Sequence, residues 1–536
     1  MSNFEQALAL LLLTTALSVV ARWLPWPRPI TYVLGGVAFG LVPAYSRITF
    51  DPDFFFLCFL PPLLFSDGWL KPLREFVRFR RSIFLLATGL VVFTTVAVGL
   101  VAHALVPTLP LAMAFALGAV VSPTDAVAMG AVTERLKLPS RLAIILSGES
   151  LMNDATGLVA FKFALAAAVS GTFSLRAAGL AFLFVALGGL AIGLIVAYAV
   201  GRLRDFLARL HGSDPTIEIT LSLLTPYAAY LLAAPLSVSA ILAVVAAGLY
   251  SGWRDPVRMD AETRQTATTV WSVALFWLNG LAFVLLGLQF PKLLAAVGHD
   301  YSVLRLVGLS AAIAGVAMVA RLAWFFPGAY LPFFFSRRVR EREERPPWQS
   351  VFVGGWAGMR GTVTLAAALS IPFALPGGAP FPGRSLVIFL AFGVIASTLL
   401  LQGTTTAWLV RYFGLREDDS LRAEEQLARS TAVRAGLAAL QVMAAEASEE
   451  NEALGQVIAE YEQRIAVLSA EGTTRASARR RRNASRRFRI AALDAERQSL
   501  DALWRRNAIN DGVYRPLQQL LDYEETLLRS SPTPTD

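Results

Sequence analysis

Gly148-Glu149-Ser150-Leu151-Met152-Asn153-Asp154 stands inside an otherwise apolar stretch that runs over residues 142–170. A stretch of that length and character reads as a membrane span, because a bilayer core of about 30 Å takes about 20 helical residues. Two carboxylates at that depth must be paired, hydrated or put to use, since ionisable groups are costly there. Helical spacing sets Ser150 and Asp154 on one face, four positions apart, and turns Glu149 toward a different neighbour. Glu149 therefore reads as half of a buried ion pair. Asp154 does not, because the nearest basic residue of its own span is Lys162, two turns away.

The rest of the chain has the same character. Of 536 residues, 55% are hydrophobic and 16% charged, and the mean hydropathy is +0.54. Soluble domains carry about 25% charged residues. Breaks at charges and prolines leave about 13 spans, near 4–21, 30–46, 53–68, 83–106, 110–130, 142–170, 176–201, 216–234, 237–252, 268–290, 303–335, 349–375 and 385–413. The first lacks a basic leader and a small-residue cleavage site, with Arg22-Trp23-Leu24-Pro25 following, and is expected to stay as a helix.

Alternate loops carry the positive charge, as in Lys71–Arg81, Arg202–Arg209 and Arg337–Arg345 together with Arg135, Lys137 and Arg141. The opposite set has little beyond Arg47, Arg176, Lys292, Arg305 and Arg384, a bias of about fourfold. The positive-inside rule then puts the N-terminus outside and everything after Arg411 in the cytoplasm. The net charge of +9 is explained by topology and the tail, and does not point to nucleic acid. Cys58, the single cysteine, lies in an apolar run and excludes an internal disulfide framework.

Other polar residues interrupt the spans. In Ser122-Pro123-Thr124-Asp125 the proline removes a backbone donor in mid-span, so freed carbonyls and the Thr124 hydroxyl become possible cation ligands. Four glycines in the eight residues Gly354–Gly361 make a second span easy to unwind beside Arg360. Arg321 lies deep in the span 303–335. The simplest neutralisation pairs Glu149 with Arg321 and Asp125 with Arg360. Asp154 is left without a partner, as a reversible cation carrier requires. The spans at 83–170 and 303–413 share one layout, long helix, broken helix, long helix.

At these residues the sequence resembles the monovalent cation:proton antiporter family, the sodium/proton exchangers. The segments Ser122–Asp125, Gly148–Asp154 and Gly358-Met359-Arg360-Gly361 look like its three signatures, in order and in span position, over residues 5–413. The resemblance implies an all-α polytopic fold with an inverted repeat and two broken crossing helices. It implies a core (roughly 83–170 and 303–413), dimerisation spans (roughly 4–68 and 216–290) and a homodimer. Asp154 resembles the aspartate that carries cation and proton, with Thr124 and Ser150 as auxiliary ligands. Asn153 resembles the asparagine of electroneutral members, and Glu149, Arg321, Asp125 and Arg360 resemble the structural charge pairs. In Pro61-Pro62-Leu63-Leu64-Phe65-Ser66-Asp67 the acid is displaced by one place from the family pattern. Asp67 is thus either a ligand or gate, or a plain helix-end acid.

The expected activity is exchange of protons for sodium, lithium or potassium across a bacterial inner membrane, one for one, with no cofactor. Hard oxygen ligands suit all three cations. A passive cation channel is the alternative, and would need a continuous pore. An intramembrane enzyme is disfavoured, because His103, His211 and His299 sit at span ends or in loops and no metal-ligand spacing occurs. Residues 414–536 read as amphipathic cytoplasmic helices, with Leu427, Val433, Leu437 and Leu440 at helical spacing. The cluster Arg475, Arg479–Arg482, Arg486, Arg487 and Arg489 is either a site for anionic lipid or a solvated basic turn. The last residues, Ser530–Asp536, are expected to be disordered.

Overall fold

A computed structural model describes residues 3–530, apart from 25, 44, 46–50, 72, 134–137, 172–174, 336, 343–344, 376–377, 416–418, 447–451, 470–471, 507 and 510. Arg47, Arg135, Lys137 and the segment after Ser530 lie outside the described residues, as do the side chains of Arg475 and Arg479–Arg482. The described chain is helical, with one isolated antiparallel bridge between Ala374 and Pro380. It divides into two compact units, Met1–Glu417 and Asp418–Asp536.

The first unit opens with α1 (Asn3–Val20), α2 (Arg28–Gly40), α3 (Pro52–Cys58) and α4 (Leu60–Trp69). Pro61 and Pro62 separate α3 from α4, because neither can donate to the preceding turn. Next come α5 (Leu73–Arg78) and α6 (Arg80–Phe84), which runs through a π-helical turn at Leu85–Leu90 into α7 (Val91–Leu105). Then follow α8 (Leu111–Val121), α9 (Ala126–Thr133), α10 (Ser140–Ser170), α11 (Leu175–His211), α12 (Pro215–Ala233), α13 (Ala240–Arg258), α14 (Ala261–Val297) and α15 (Val303–Phe335). The unit closes with α16 (Arg337–Arg342), α17 (Trp348–Trp356), α18 (Thr362–Leu369) and α19 (Arg384–Tyr412).

Seven of the described helices are each long and apolar enough to cross a membrane. The other sequence intervals fall on shorter helices or on interrupted pairs. Helices α13 and α14 extend beyond the hydropathy limits, 240–258 against 237–252 and 261–297 against 268–290. The apolar window marks only the slice in hydrocarbon, whereas the hydrogen-bond ladder continues into the polar interface. Side-chain caps start the helices there: Asp214 bonds the Thr216 amide, Ser239 that of Leu242 and Asp260 that of Thr263.

Small residues bring the helices together, as expected where lipid offers no hydrophobic drive to association. A Cβ on Gly36 would lie 2.3 Å from the Val284 carbonyl, so α2 and α14 cross backbone to backbone. Gly248 and Gly252 on α13 seat the carbonyls of Phe65 and Trp69 on α4 in the same way. Large apolar side chains such as Leu180, Leu183, Phe184 and Leu187 on α11 face outward, where lipid would cover them.

The second unit has α20 (Asp419–Glu446) packed on α21 (Glu452–Ser469), and α22 (Gly472–Arg505) packed on α23 (Asp511–Ser530). Val433, Leu437 and Leu440 are half-buried, while Leu427 is exposed. The basic cluster does not form a turn between helices. It lies wholly within α22, where residues 472–505 make one uninterrupted helix. Arg497 bonds Asp522 at 2.8 Å and Glu525 at 2.6 Å, and the Trp504 and Tyr514 rings stack at 5.0 Å.

Candidate functional site

Two interruptions meet in the interior. Helix α8 ends at Val121, where the Ser122 hydroxyl bonds the Ala119 carbonyl at 2.9 Å, and the chain runs non-helical through Pro123 and Thr124 before α9. Helix α17 ends at Trp356, and residues 357–361 are non-helical before α18. The Asp125 amide donates to the Met359 carbonyl at 2.8 Å and ties the two breaks together. Each break leaves one helix C-terminus and one helix N-terminus with orphan backbone groups.

The ionisable residues of the breaks divide by the sign of those ends. Asp125 Oδ1 accepts from the amides of Val127 at 2.7 Å and Ala128 at 3.1 Å, the first turn of α9. Its carboxylate also lies against Gly361, at the N-terminus of α18. Arg360, 1% exposed, donates through Nε to the Val121 carbonyl at 2.9 Å and through its terminal nitrogen to the Gly358 carbonyl. The Asp125–Arg360 ion pair expected from sequence is therefore not formed. An anion caps two positive N-termini and a cation caps carbonyls at two negative C-terminal ends, because the helix dipoles meet there with opposite signs. Gly361 makes this possible: a Cβ there would fall 1.3 Å from Asp125 Oδ2.

Arg321 reaches Glu149 with both terminal nitrogens, one of them at 2.8 Å from Oε2, and each side chain is 1% exposed. Its second terminal nitrogen also faces the carbonyls of Gly354 at 3.3 Å and Ala357 at 3.4 Å, and its guanidinium lies over the Phe325 ring. The pair thus joins α10 to α15 and to the end of α17.

Thr124 gathers the polar side chains of α10. Its Oγ1 lies 3.0 Å from Ser150 Oγ, accepts from Asn153 Nδ2 at 2.8 Å, and faces Glu149 Oε1 at 3.4 Å. Asn153 Oδ1 is buried without a hydrogen-bond partner among the described residues.

Asp154 is 7% exposed. Among the described residues it has neither a hydrogen bond nor an ion pair, and Lys162 is exposed on another face of α10. Its side chain lines a cavity of about 30 Å³ with Asp67, Asp125, Thr124 and Ser150. That volume holds about one or two waters. Three carboxylates border the cavity and no described Lys or Arg does. Among the described residues no cluster of His, Cys, Asp or Glu is arranged to hold a resident metal ion. The arrangement is an anionic pocket, walled by apolar side chains and hydroxyls, in which a small cation or a proton is the natural neutralising species.

The sequence reading missed Thr362, Val363 and Thr364, which line the same cavity from the first turn of α18. Their position directly after Gly361 was the available signal. It also missed Thr398 of α19, whose hydroxyl accepts from the Arg360 amide at 3.2 Å.

Comparison with known proteins agrees with this architecture. The family profile described as the transmembrane sodium/hydrogen exchanger matches residues 8–412. A Bacillus subtilis protein named as a sodium, potassium, lithium and rubidium/H(+) antiporter is 36% identical over 98% of this chain and 78% of its own length. A Bacillus pumilus protein of the same name is 40% identical over 75% of this chain and 60% of its own. An Escherichia coli protein named as an uncharacterized Na(+)/H(+) exchanger is 36% identical over 98% of this chain and 99% of its own. The sodium proton antiporter MjNhaP1 of Methanocaldococcus jannaschii shares the fold, with a TM-score of 0.59 at 19% identity over 76% of this chain and 96% of that one.

Proposed function

Because this chain belongs to the sodium/hydrogen exchanger family, a family of multi-pass membrane transporters and not of enzymes, we propose that Asp154 carries its exchange of protons for a monovalent cation. The supporting observation is the contrast among four acids beside the breaks, of which Glu149 and Asp154 are buried and Asp125 and Asp67 half-buried. Glu149 is neutralised by Arg321, Asp125 is held by the first amides of α9, and Asp67 lines the cavity from the last turn of α4. Asp154 and Asp67 both line the cavity without a bonding partner among the described residues, and Asp154 is the more deeply buried of the two, at the middle of α10 and not in the last turn of α4. An uncompensated carboxylate in a water-poor interior is costly. It is lowered in energy by a proton or by a cation, and the two compete for one group. A carrier that changes conformation only when Asp154 is neutralised moves either species, never both together and never neither.

Sodium is the first candidate cation, with potassium and lithium as substitutes that the same oxygen ligands accept. Thr124 and Ser150 supply the neighbouring hydroxyls. Asn153 holds Thr124 in place and has no second exchangeable proton to add, which supports one-for-one, electroneutral turnover. The alternation of arginine-rich loops supports an N-terminus outside and a second unit in the cytoplasm. A homodimer is part of the same proposal, with family membership in its support.

The test is proton flux driven by a sodium gradient in proteoliposomes. Asp154→Asn should abolish it and leave the melting profile of the purified protein near wild type. Undiminished exchange in that variant removes the proposal. A cation current that needs no counter-moving proton would identify a channel instead.

A further inference from the structure

The cytoplasmic-loop ends of α4, α11 and α13 are joined by a charge cluster that the ion pathway does not touch. Asp255 of α13, 2% exposed, divides its carboxylate between two partners. Oδ1 accepts from Arg204 of α11 at 3.1 Å, and Oδ2 accepts from the indole nitrogen of Trp69, the last residue of α4, at 3.1 Å. One residue along α11, Asp205 pairs with Arg258 of α13 at 2.5 Å, so the two helices exchange ion pairs reciprocally. The Trp69 ring lies 6.2 Å from that of Trp271 on α14, and Trp271 also stacks on Phe65, one turn earlier on α4.

We propose that this Trp69–Asp255–Arg204 clamp is a positioning device for the cation site, acting through Asp67; the inference rests on the exchange function proposed above. Helix α4 has two working faces. Leu60, Leu63, Leu64 and Asp67 recur at helical spacing and line the cavity. Phe65 and Trp69 point the other way, into the clamp and Trp271. Asp67 lies in the final turn of α4, where the Leu70 and Lys71 amides close back onto the Ser66 and Gly68 carbonyls, and a terminal turn frays unless tertiary contacts hold it. Trp69 closes that turn, and Asp255 fixes Trp69. Arg204 in turn orients the buried Asp255 carboxylate, since an acid at that depth needs a bonding partner. The clamp thus sets how far the Asp67 carboxylate projects toward Asp154 without itself touching an ion.

Trp69→Phe deletes the indole donor and keeps an aromatic ring, so it separates positioning from folding better than Asp255→Asn, which strands Arg204. In proteoliposomes Trp69→Phe should raise the sodium KM about tenfold, the usual range for losing an outer partner of an ion ligand, with maximal rate within about twofold of wild type. The pH midpoint of exchange should shift with it. The sodium-dependent rise in melting temperature, which needs no turnover, should weaken in parallel. In an Asp67→Asn background, Trp69→Phe should add less than about twofold. An unchanged KM and sodium response in Trp69→Phe overturns the clamp's role. So does a full effect of Trp69→Phe on top of Asp67→Asn. Wild-type exchange that is lost in Asp154→Asn shows separately that the underlying function stands.

Discussion

Asp154, Glu149, Asp125 and Asp67 have the same functional group and differ in fate, set by what each neighbour supplies. Glu149 receives a guanidinium fork, and removing one half of a buried pair strands the other. Glu149→Gln should therefore cost about 3–5 kcal/mol of stability, seen as an earlier melting transition in detergent. Replacing both partners by apolar residues, Glu149→Leu with Arg321→Met, should restore most of it, because the desolvation cost disappears with the charges. Equal melting of the single variant and wild type would contradict a structural role for the pair. The acids of this region were visible in the sequence as misplaced polarity. Their partners were only half visible: Arg321 matches Glu149, but Arg360 serves carbonyls. Charge counting pairs anions with cations and cannot see backbone dipoles.

The interrupted elements, α8 with α9 and α17 with α18, were legible from Pro123 and from the glycines of 354–361. A proline in mid-span and a run without Cβ atoms each lower the cost of leaving the helical ladder. What could not be read was that the breaks meet, since the contact of Asp125 with Met359 spans more than two hundred positions. The narrowest point is Gly361 against Asp125. Gly361→Ala should push the Asp125 carboxylate off the α18 N-terminus, lower stability by about 1–3 kcal/mol and cut exchange by at least about tenfold. Stopped or slowed proton flux with retained α-helical circular dichroism is the expected result; wild-type flux would show that the two caps are dispensable.

The whole molecule joins an apolar unit and a polar one that obey different rules. In the polar unit, α22 and α23 are held by exposed and part-buried charges. Arg497 and Arg529 beside Glu525 hold its carboxyl below the ordinary glutamate value of 4.5, and Arg497 is held above its usual range by Glu525 and Asp522. A carboxylate whose folded value is depressed contributes stability at neutral pH, and that contribution is lost as pH falls through the folded value. Hydrogen-exchange protection of residues 486–530 in the full chain should thus weaken below about pH 4.5, and Glu525→Gln should remove the neutral-pH share of it. The effect is small for so exposed a network, and an identical pH profile in the variant would remove it. High salt should mimic part of the loss, because exposed charges are screened over about 10 Å.

Length, apolar blocks and the placement of arginines sufficed to establish an all-helical membrane chain with two weak points in its helices and acids buried near them. Those features are local, since span length and helix breaking depend on a few adjacent residues and on the thickness of the bilayer. The tertiary structure decided which acid is caged, which caps a dipole and which are left bare on the cavity. That choice depends on groups brought together from distant helices, including backbone amides and carbonyls that no pattern of side chains announces.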